Sequence, residues 1–193
     1  MRAHLGIFDR FDNAVPAPSR LGELVRPVAE AIGGWVGKVP AERFLYVDTD
    51  PEVADTAAFV AHHGPELIEA SANCVVVAAK RGGETTLAAC LVPSAGRVDV
   101  NGVVRRHLGA RKVSFAPMDT AVEATGMEYG GITPLGLPAS WPLLVDAAVV
   151  ELPYVLIGSG RRRGKLIVPG AAFAELPTAE VLPNLARTPT ATP

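Results

Sequence analysis

The chain has 193 residues, about half of them apolar and 6% aromatic, with a formal net charge of −2. That length and composition fit one domain with a sizeable core of Ala, Val and Leu, and they exclude a broad aromatic groove and an apolar run long enough to span a bilayer. Charge is uneven, with 11 acids against 6 bases in residues 1–70 and 9 against 12 in residues 71–193, so a polyanionic partner would meet the second half. Met1-Arg2-Ala3-His4-Leu5-Gly6 lacks the apolar core of a secretory leader, and Cys74 and Cys90 make no disulfide framework. The expected setting is a reducing cytoplasm, with both thiols buried.

Residues 1–19 are mixed in character and read as a loosely held extension. Leu21, Leu24, Val25, Val28 and Ile32 fall at helical spacing, and Gly33-Gly34 stops that helix. Residues 1–40 thus form an N-terminal extension with one helix, ahead of a domain over 41–187. Arg43-Phe44-Leu45-Tyr46-Val47-Asp48 predicts a strand. Asp50 as N-cap and Pro51 at the first helical position predict a helix to about His63, ended by Gly64-Pro65. Residues 72–79 and 85–92 predict the two strands of a hairpin about the turn Arg81-Gly82-Gly83-Glu84. Asp99 or Asn101 caps a helix through Val103, Val104 and Leu108. Residues 112–115 predict a short strand, and Asp119 a cap for a helix closed by Gly126. Residues 143–150 and 153–157 predict strands, as do residues 165–168, and residues 171–176 a last short helix. The Thr/Pro/Ala tail from Thr188 reads as disordered.

Hairpin-length strand pairs with helices between them argue a mixed sheet, α/β or α+β, in one domain. No GxGxxG follows a first strand, and no Walker A motif is present. A metal site is not expected, because no CxxC occurs and His62-His63 point to two faces of a helix. A serine hydrolase lacks its GxSxG elbow. The stretch that draws attention is Gly126-Met127-Glu128-Tyr129-Gly130-Gly131-Ile132-Thr133-Pro134-Leu135-Gly136. Four glycines let main-chain N–H groups come close to a ligand, so the stretch reads either as a connector or as an oxyanion-type cradle. A second turn, Gly158-Ser159-Gly160-Arg161-Arg162-Arg163-Gly164 followed by Lys165, offers arginines to phosphates. The acids Asp146 and Glu151 flank an apolar strand nearby.

These residues resemble the YbaK / prolyl-tRNA synthetase-associated editing-domain family. Tyr129-Gly130-Gly131-Ile132-Thr133-Pro134-Leu135-Gly136 is similar to its GGxSPxG loop, with Thr133 in place of the usual Ser. The stretch from Val98-Asp99-Val100 to Leu108-Gly109-Ala110-Arg111-Lys112-Val113 is similar to the helix and strand ahead of that loop. Asp146-Ala147 and Gly158-Ser159-Gly160-Arg161 are similar to its late strand and turn. The likeness covers roughly residues 45 to 183. It implies a mixed, barrel-like β-sheet surrounded by helices. It also implies a deacylase that hydrolyses the ester between a wrong amino acid and the 3′-terminal adenosine of tRNA, with no metal or organic cofactor. Carried over, Asn73, Gly131 and Thr133 would be catalytic. Tyr129, Gly130, Ile132, Pro134, Gly136, Asp146, Gly158, Ser159 and Gly160 would bind substrate, and Arg161, Arg162 and Arg163 would meet tRNA phosphates. The partner is aminoacyl-tRNA, with no membrane and with a homo-oligomer possible.

One departure stands out. Many members begin the central strand with Lys-Thr-Leu-Val, whereas here Asn73 of Ala72-Asn73-Cys74-Val75-Val76 takes the lysine's place. A neutral amide makes a weaker hydrogen bond than an ammonium. Lys80 and Lys112 are the candidate substitutes, Lys80 being poorly placed at the far end of the strand. The departure keeps two other classes open: a non-catalytic module that binds aminoacyl-tRNA or an adenosine ligand, and a protein-interaction domain with a vestigial pocket.

Overall fold

The longest apolar alternation in the chain builds the centre of the fold. In the computed structural model, which describes residues 5–187, strands β3 (Ala72–Arg81) and β4 (Glu84–Pro93) form a ten-residue hairpin. Gly82 and Gly83 turn it with φ of +57° and +87°, a two-residue turn whose twist matches the flanking strands. The first strands of the chain are β1 (Val15–Pro16) and β2 (Leu45–Val47). After the hairpin come β5 (Arg97–Val98), β6 (Lys112–Phe115), β7 (Leu143–Asp146), β8 (Val155–Gly158), β9 (Lys165–Val168), β10 (Ala179–Leu182) and β11 (Ala186–Arg187). They join as a five-stranded sheet of order β10-β7-β4-β3-β6, a four-stranded sheet of order β1-β2-β9-β8, and the pair β11-β5. β7 runs parallel to β4 and to β10, whereas β6 is antiparallel to β3, so the larger sheet is mixed. A single parallel bridge, Ser71 to Leu156, joins the two large sheets.

Side chains of β3 alternate between two cores. Val76 faces a central cluster between the sheets, with Phe44, Leu91, Val145, Ile157 and Leu166. Val77 and Ala79 face a second cluster with Cys90, Val104, Leu144 and Leu185. Cys74 packs on the first cluster and Cys90 sits in the second, so the two free thiols occupy opposite faces of one sheet. Burial pushes both up, Cys90 to about 12, which keeps them protonated and unreactive.

The helices are α1 (Arg26–Gly33), α2 (Thr56–His63), α3 (Arg105–His107), α4 (Met118–Thr125) and α5 (Ala147–Val150). Several depart from expectation. The helix expected from Leu21 divides into a 3₁₀ segment, Ala17–Glu23, and α1. The helix expected from Asp50 also divides: Asp50 caps only the turn Pro51–Val53 by accepting from Glu52 N–H, and α2 restarts after Asp55. The strand expected over 143–150 ends at Asp146, whose carboxylate accepts from Ala148 N–H (2.9 Å) and starts α5. Of the alternatives Asp99 and Asn101, Asp99 is the cap, accepting from the N–H groups of Gly102 and Val103. Asp119 lies in the first turn of α4, one residue inside its start. Residues 5–19 are not loose: Phe8 and Phe11 are buried beside Phe59, Leu67 and Ile167, and Val15 pairs with Tyr46. The tail from Thr188 lies outside the described residues.

α1 lays Val28 and Ile32, both fully buried, into the central cluster. Ile32→Ala should lower the stability of the whole fold by about 2–5 kcal/mol in urea denaturation, through reduced burial and a residual cavity. A change confined to a separate, weaker transition would mean that α1 docks without belonging to the core.

Candidate active site

A gap in the sheet makes the site. β6 pairs with β3 from Val77 to Lys80, and Ala116 N–H closes the ladder on Val76 C=O (3.0 Å). Before that point β6 is absent and the edge of β3 stands open. Alternate residues of a strand point both main-chain polar groups to the same side, so the N–H and C=O of Cys74 face this gap. The gap opens into a cleft of about 500 Å³. Its walls are Asn73, Cys74 and Val76 from β3, Thr56 and Phe59 from α2, Ile157 and Gly158 from β8, and Tyr129, Gly130 and Ile132 from the glycine loop. Phe115, Met118 and Tyr129 stand at its lining with 61%, 49% and 53% of their surface exposed.

The two glycine-rich stretches meet, main chain against main chain. Gly160 N–H donates to Gly131 C=O and Glu128 N–H donates to Gly160 C=O, each at 2.8 Å. A Cβ at Gly158 would stand 2.5 Å from Gly131 O, and one at Gly131 would collide with the Arg161 carbonyl. The junction therefore requires glycine for closeness of approach.

The expected site residues divide. Asn73, Tyr129, Gly130, Ile132 and Gly158 line the cleft, with Gly131 directly behind them. Thr133 is fully buried, its N–H directed at Met127 Sδ (3.4 Å) and its hydroxyl without a partner among the described residues. Pro134 and Gly136 line a different cavity, beside α1 and Trp35. Asp146 is buried under the sheet, where it caps α5 and accepts from Ala186 N–H (2.7 Å). Ser159 braces its own turn, donating to Arg163 C=O (3.0 Å) and accepting from Arg161 N–H (3.3 Å). Gly160, at φ +87°, packs against Val25 and Val28.

The three arginines of that turn all donate to protein acceptors. Arg161 reaches Leu24 C=O (3.3 Å) and Arg162 reaches Pro51 C=O (3.1 Å). Arg163 binds Asp48 through two hydrogen bonds of 2.7 and 2.6 Å, and this pair holds the Asp48 carboxyl below the usual carboxylate range.

Lys165 is the residue that local pattern did not mark as lining the site. It opens β9, and a strand's first lysine ordinarily reads as exposed. Here it is 6% exposed and lines the cleft, its ammonium donating to Ala54 C=O and lying 5.4 Å from the Phe59 ring centre. Burial lowers its pKa to about 8, opposed by Asp55 and assisted by Arg162. Among the described residues, Asp55 and Lys165 are the charged ones lining the cleft, and no histidine lines it. Asn73 is oriented by Thr56, whose hydroxyl donates to Asn73 Oδ1 (2.8 Å), leaving the amide hydrogens for a ligand. Among the described residues no cluster of His, Cys, Asp and Glu is placed to hold a metal, and no helix is long and apolar enough to cross a membrane.

The fold has close counterparts among solved structures. A candidate trans-editing enzyme for prolyl tRNA synthetase superposes with a TM-score of 0.65 at 18% identity, covering 86% of this chain and 95% of that one. The hypothetical protein APE2540 gives 0.64 at 21% identity over 75% and 91% of the two chains. A scaffold protein from computational epitope grafting gives 0.66 at 19% identity over 82% and 95%. At such identities the likeness establishes the fold alone. The mixed α/β architecture agrees with the expected class, as a mixed five-stranded sheet and an antiparallel four-stranded one rather than a closed barrel. Sequence goes further, because the profile of the aminoacyl-tRNA editing domain matches residues 50–176, a span that holds the open edge of β3, the glycine loop, the basic turn and Lys165. The chain belongs to the aminoacyl-tRNA editing domain family.

Proposed function

We propose that the protein is an aminoacyl-tRNA deacylase, hydrolysing the ester that joins an amino acid to the 3′-terminal adenosine of a mischarged tRNA. The observation that carries this is the meeting, in one cleft, of main-chain donors with a single buried lysine. The aminoacyl group enters beside Cys74 and Gly130, and the adenine lies against the exposed faces of Phe115, Met118 and Tyr129. The amide of Asn73 and the ammonium of Lys165 lie where an ester oxygen gains negative charge as water adds to the carbonyl. Donors already in place at that point lower the barrier without reorganising. Collapse of the tetrahedral species expels the ribose oxygen, which takes up the proton that water gives up.

A second reading is binding without hydrolysis, favoured by Asn73 where the family resemblance leads one to expect a lysine, and by the lack of an imidazole base in the cleft among the described residues. One assay separates the two. The protein incubated with a panel of mischarged tRNAs, small amino acids such as alanine first, should release amino acid above the buffer rate. No release from any of them rejects the deacylase. Activity that appears only in Asn73→Lys identifies the natural protein as a binder.

Lys165→Met tests the role given to the ammonium. Deacylation should fall by on the order of 10²–10³, the usual loss for one oxyanion donor. Stability should move the other way. With its pKa lowered from 10.5 to about 8, burying the charged lysine costs up to about 3 kcal/mol below pH 8. Between pH 8 and 10.5 the unfolded chain binds the proton that the native state has released, so wild-type stability rises with pH there. The variant's advantage in urea denaturation should therefore be largest at neutral pH and vanish by about pH 10.5. A variant that loses both activity and stability would show Lys165 to be structural.

A further inference from the structure

Six exposed bases gather at the end of β3 remote from the cleft: Lys80 and Arg81 of β3, Arg105 and Arg106 of α3, and Arg111 and Lys112 entering β6; Lys80 and Lys112 line no part of the cleft, so neither substitutes there for the lysine expected at position 73. The topology brings them together. Lys80 stands directly opposite Lys112 across the strand pair, and Arg111 N–H donates to Lys80 C=O (2.8 Å). Gly109, which ends the α3 segment by donating to Arg106 C=O, lies against the Arg81 guanidinium. None of the six forms an ion pair among the described residues, whereas Arg10, Arg26, Arg162, Arg163 and Arg187 all do. Like charges facing each other across a ladder destabilise it, so the Lys80–Lys112 pair carries an electrostatic cost that a polyanion would relieve, while Arg81 stands opposite Glu84.

Its position indicates which polyanion. From Asn73 in the cleft β3 runs to its end at Arg81, about 26 Å away at 3.3 Å per residue. Lys112 lies three residues from Phe115 at the cleft lining, about 10 Å. By the two-residue period, Lys80 and Lys112 project from the face that carries Cys74 and Val76, while Arg81 and Arg111 project from the opposite face beside α3, so the six bases wrap the end of the strand pair. At about 3.4 Å per stacked nucleotide, a strand leaving the cleft meets these bases after roughly three nucleotides and passes the last of them after roughly eight. That span fits an unpaired 3′ end followed by the first pairs of an RNA helix.

We propose that Lys80, Arg81, Arg105, Arg106, Arg111 and Lys112 form the docking surface for the acceptor-stem phosphates of the tRNA whose 3′ end enters the cleft, an assignment that rests on the editing reading above. These residues touch phosphate and helix shape and read no base sequence.

The test uses the full chain with Lys80, Arg81, Arg111 and Lys112 all changed to Ala. Uncharged tRNA is titrated at salt concentrations from 50 to 200 mM. The variant should bind about tenfold or more weakly, with a salt slope reduced by close to one for each phosphate that is no longer neutralised. Its melting temperature should be unchanged or raised, since repulsion is removed. Arg163→Ala, which breaks only the pair with Asp48, should bind as wild type does. Unchanged affinity and slope in the fourfold variant overturn the proposal, as does equal competition by poly-glutamate, which would mark the surface as one for acidic protein. An aminoacylated CCA trinucleotide, which lacks the stem, should be hydrolysed equally by wild type and variant; selective slowing of the variant also overturns it. If wild type hydrolyses neither substrate yet binds tRNA through these residues, the deacylase fails and the docking surface stands.

Discussion

The site depends on a place where two stretches of main chain touch with no side chain between them. Gly131 C=O accepts from Gly160 N–H, and Gly158 lies so close to Gly131 that a methyl group could not enter. This junction sets the glycine loop and the turn after β8 at a fixed spacing, and the cleft lies along one side of the join. A second close approach follows at once. Gly164 has φ +82°, and a Cβ there would meet the Tyr46 ring at 2.5 Å. The chain therefore enters β9 pressed against β2, and the next residue, Lys165, turns into the cleft rather than into solvent. Two close approaches at glycine, each enforced by sterics, thus aim the one lysine that lines the cleft. Ser159 and the part-buried hydrogen bonds of Arg161 and Arg162 hold the intervening turn in that shape.

Local pattern carries the elements whose cause is local. Residues 72–93 alternate and break at Gly82-Gly83, so hairpin, strands and turn are all legible. Asp146 reads as the middle of a strand because Leu143 to Val150 is almost wholly apolar, yet its carboxylate makes a better cap than a strand residue in this context. The glycine signature is legible as a motif but not as a surface. Tyr129, Gly130 and Ile132 line the cleft, Thr133 is buried, and Pro134 and Gly136, only a few residues on, line a different cavity. Lys165 is invisible for the opposite reason. Nothing in Lys-Leu-Ile-Val distinguishes a buried first residue from an exposed one; only the pairing of β9 between β2 and β8 does. The excess of bases in the second half can be counted from the sequence, but sheet order gathers 80–81, 105–106 and 111–112.

Two features of this molecule run against stability, and both lie on the path from the cleft along β3. A lysine is buried with a lowered pKa, and like charges face each other across β3 and β6. Elsewhere the charges follow ordinary rules: Asp48 pairs with Arg163, Asp99 with Arg187, and Arg26 with Glu30 one helical turn on. Local violations within a fold otherwise consistent at every level concentrate where function requires them. The cleft and the basic surface are then two parts of one binding track, the first costly through desolvation and the second through repulsion.

The makeup of the cleft also limits the chemistry it can perform. Cys74 lines it, but burial holds the thiol protonated, and among the described residues no imidazole lines the cleft to act as a base. Asp55 is largely exposed near the mouth, beside Gly130, rather than enclosed against a reacting carbonyl. What remains are donors: the open-edge N–H of Cys74, the Nδ2 hydrogens of Asn73 and the ammonium of Lys165. A site made of donors without a strong base acts on charge as it develops, not on the proton of an attacking group. The ester of an aminoacyl-tRNA is already reactive toward water, so stabilising its oxyanion is the step that such a cleft is equipped to accelerate.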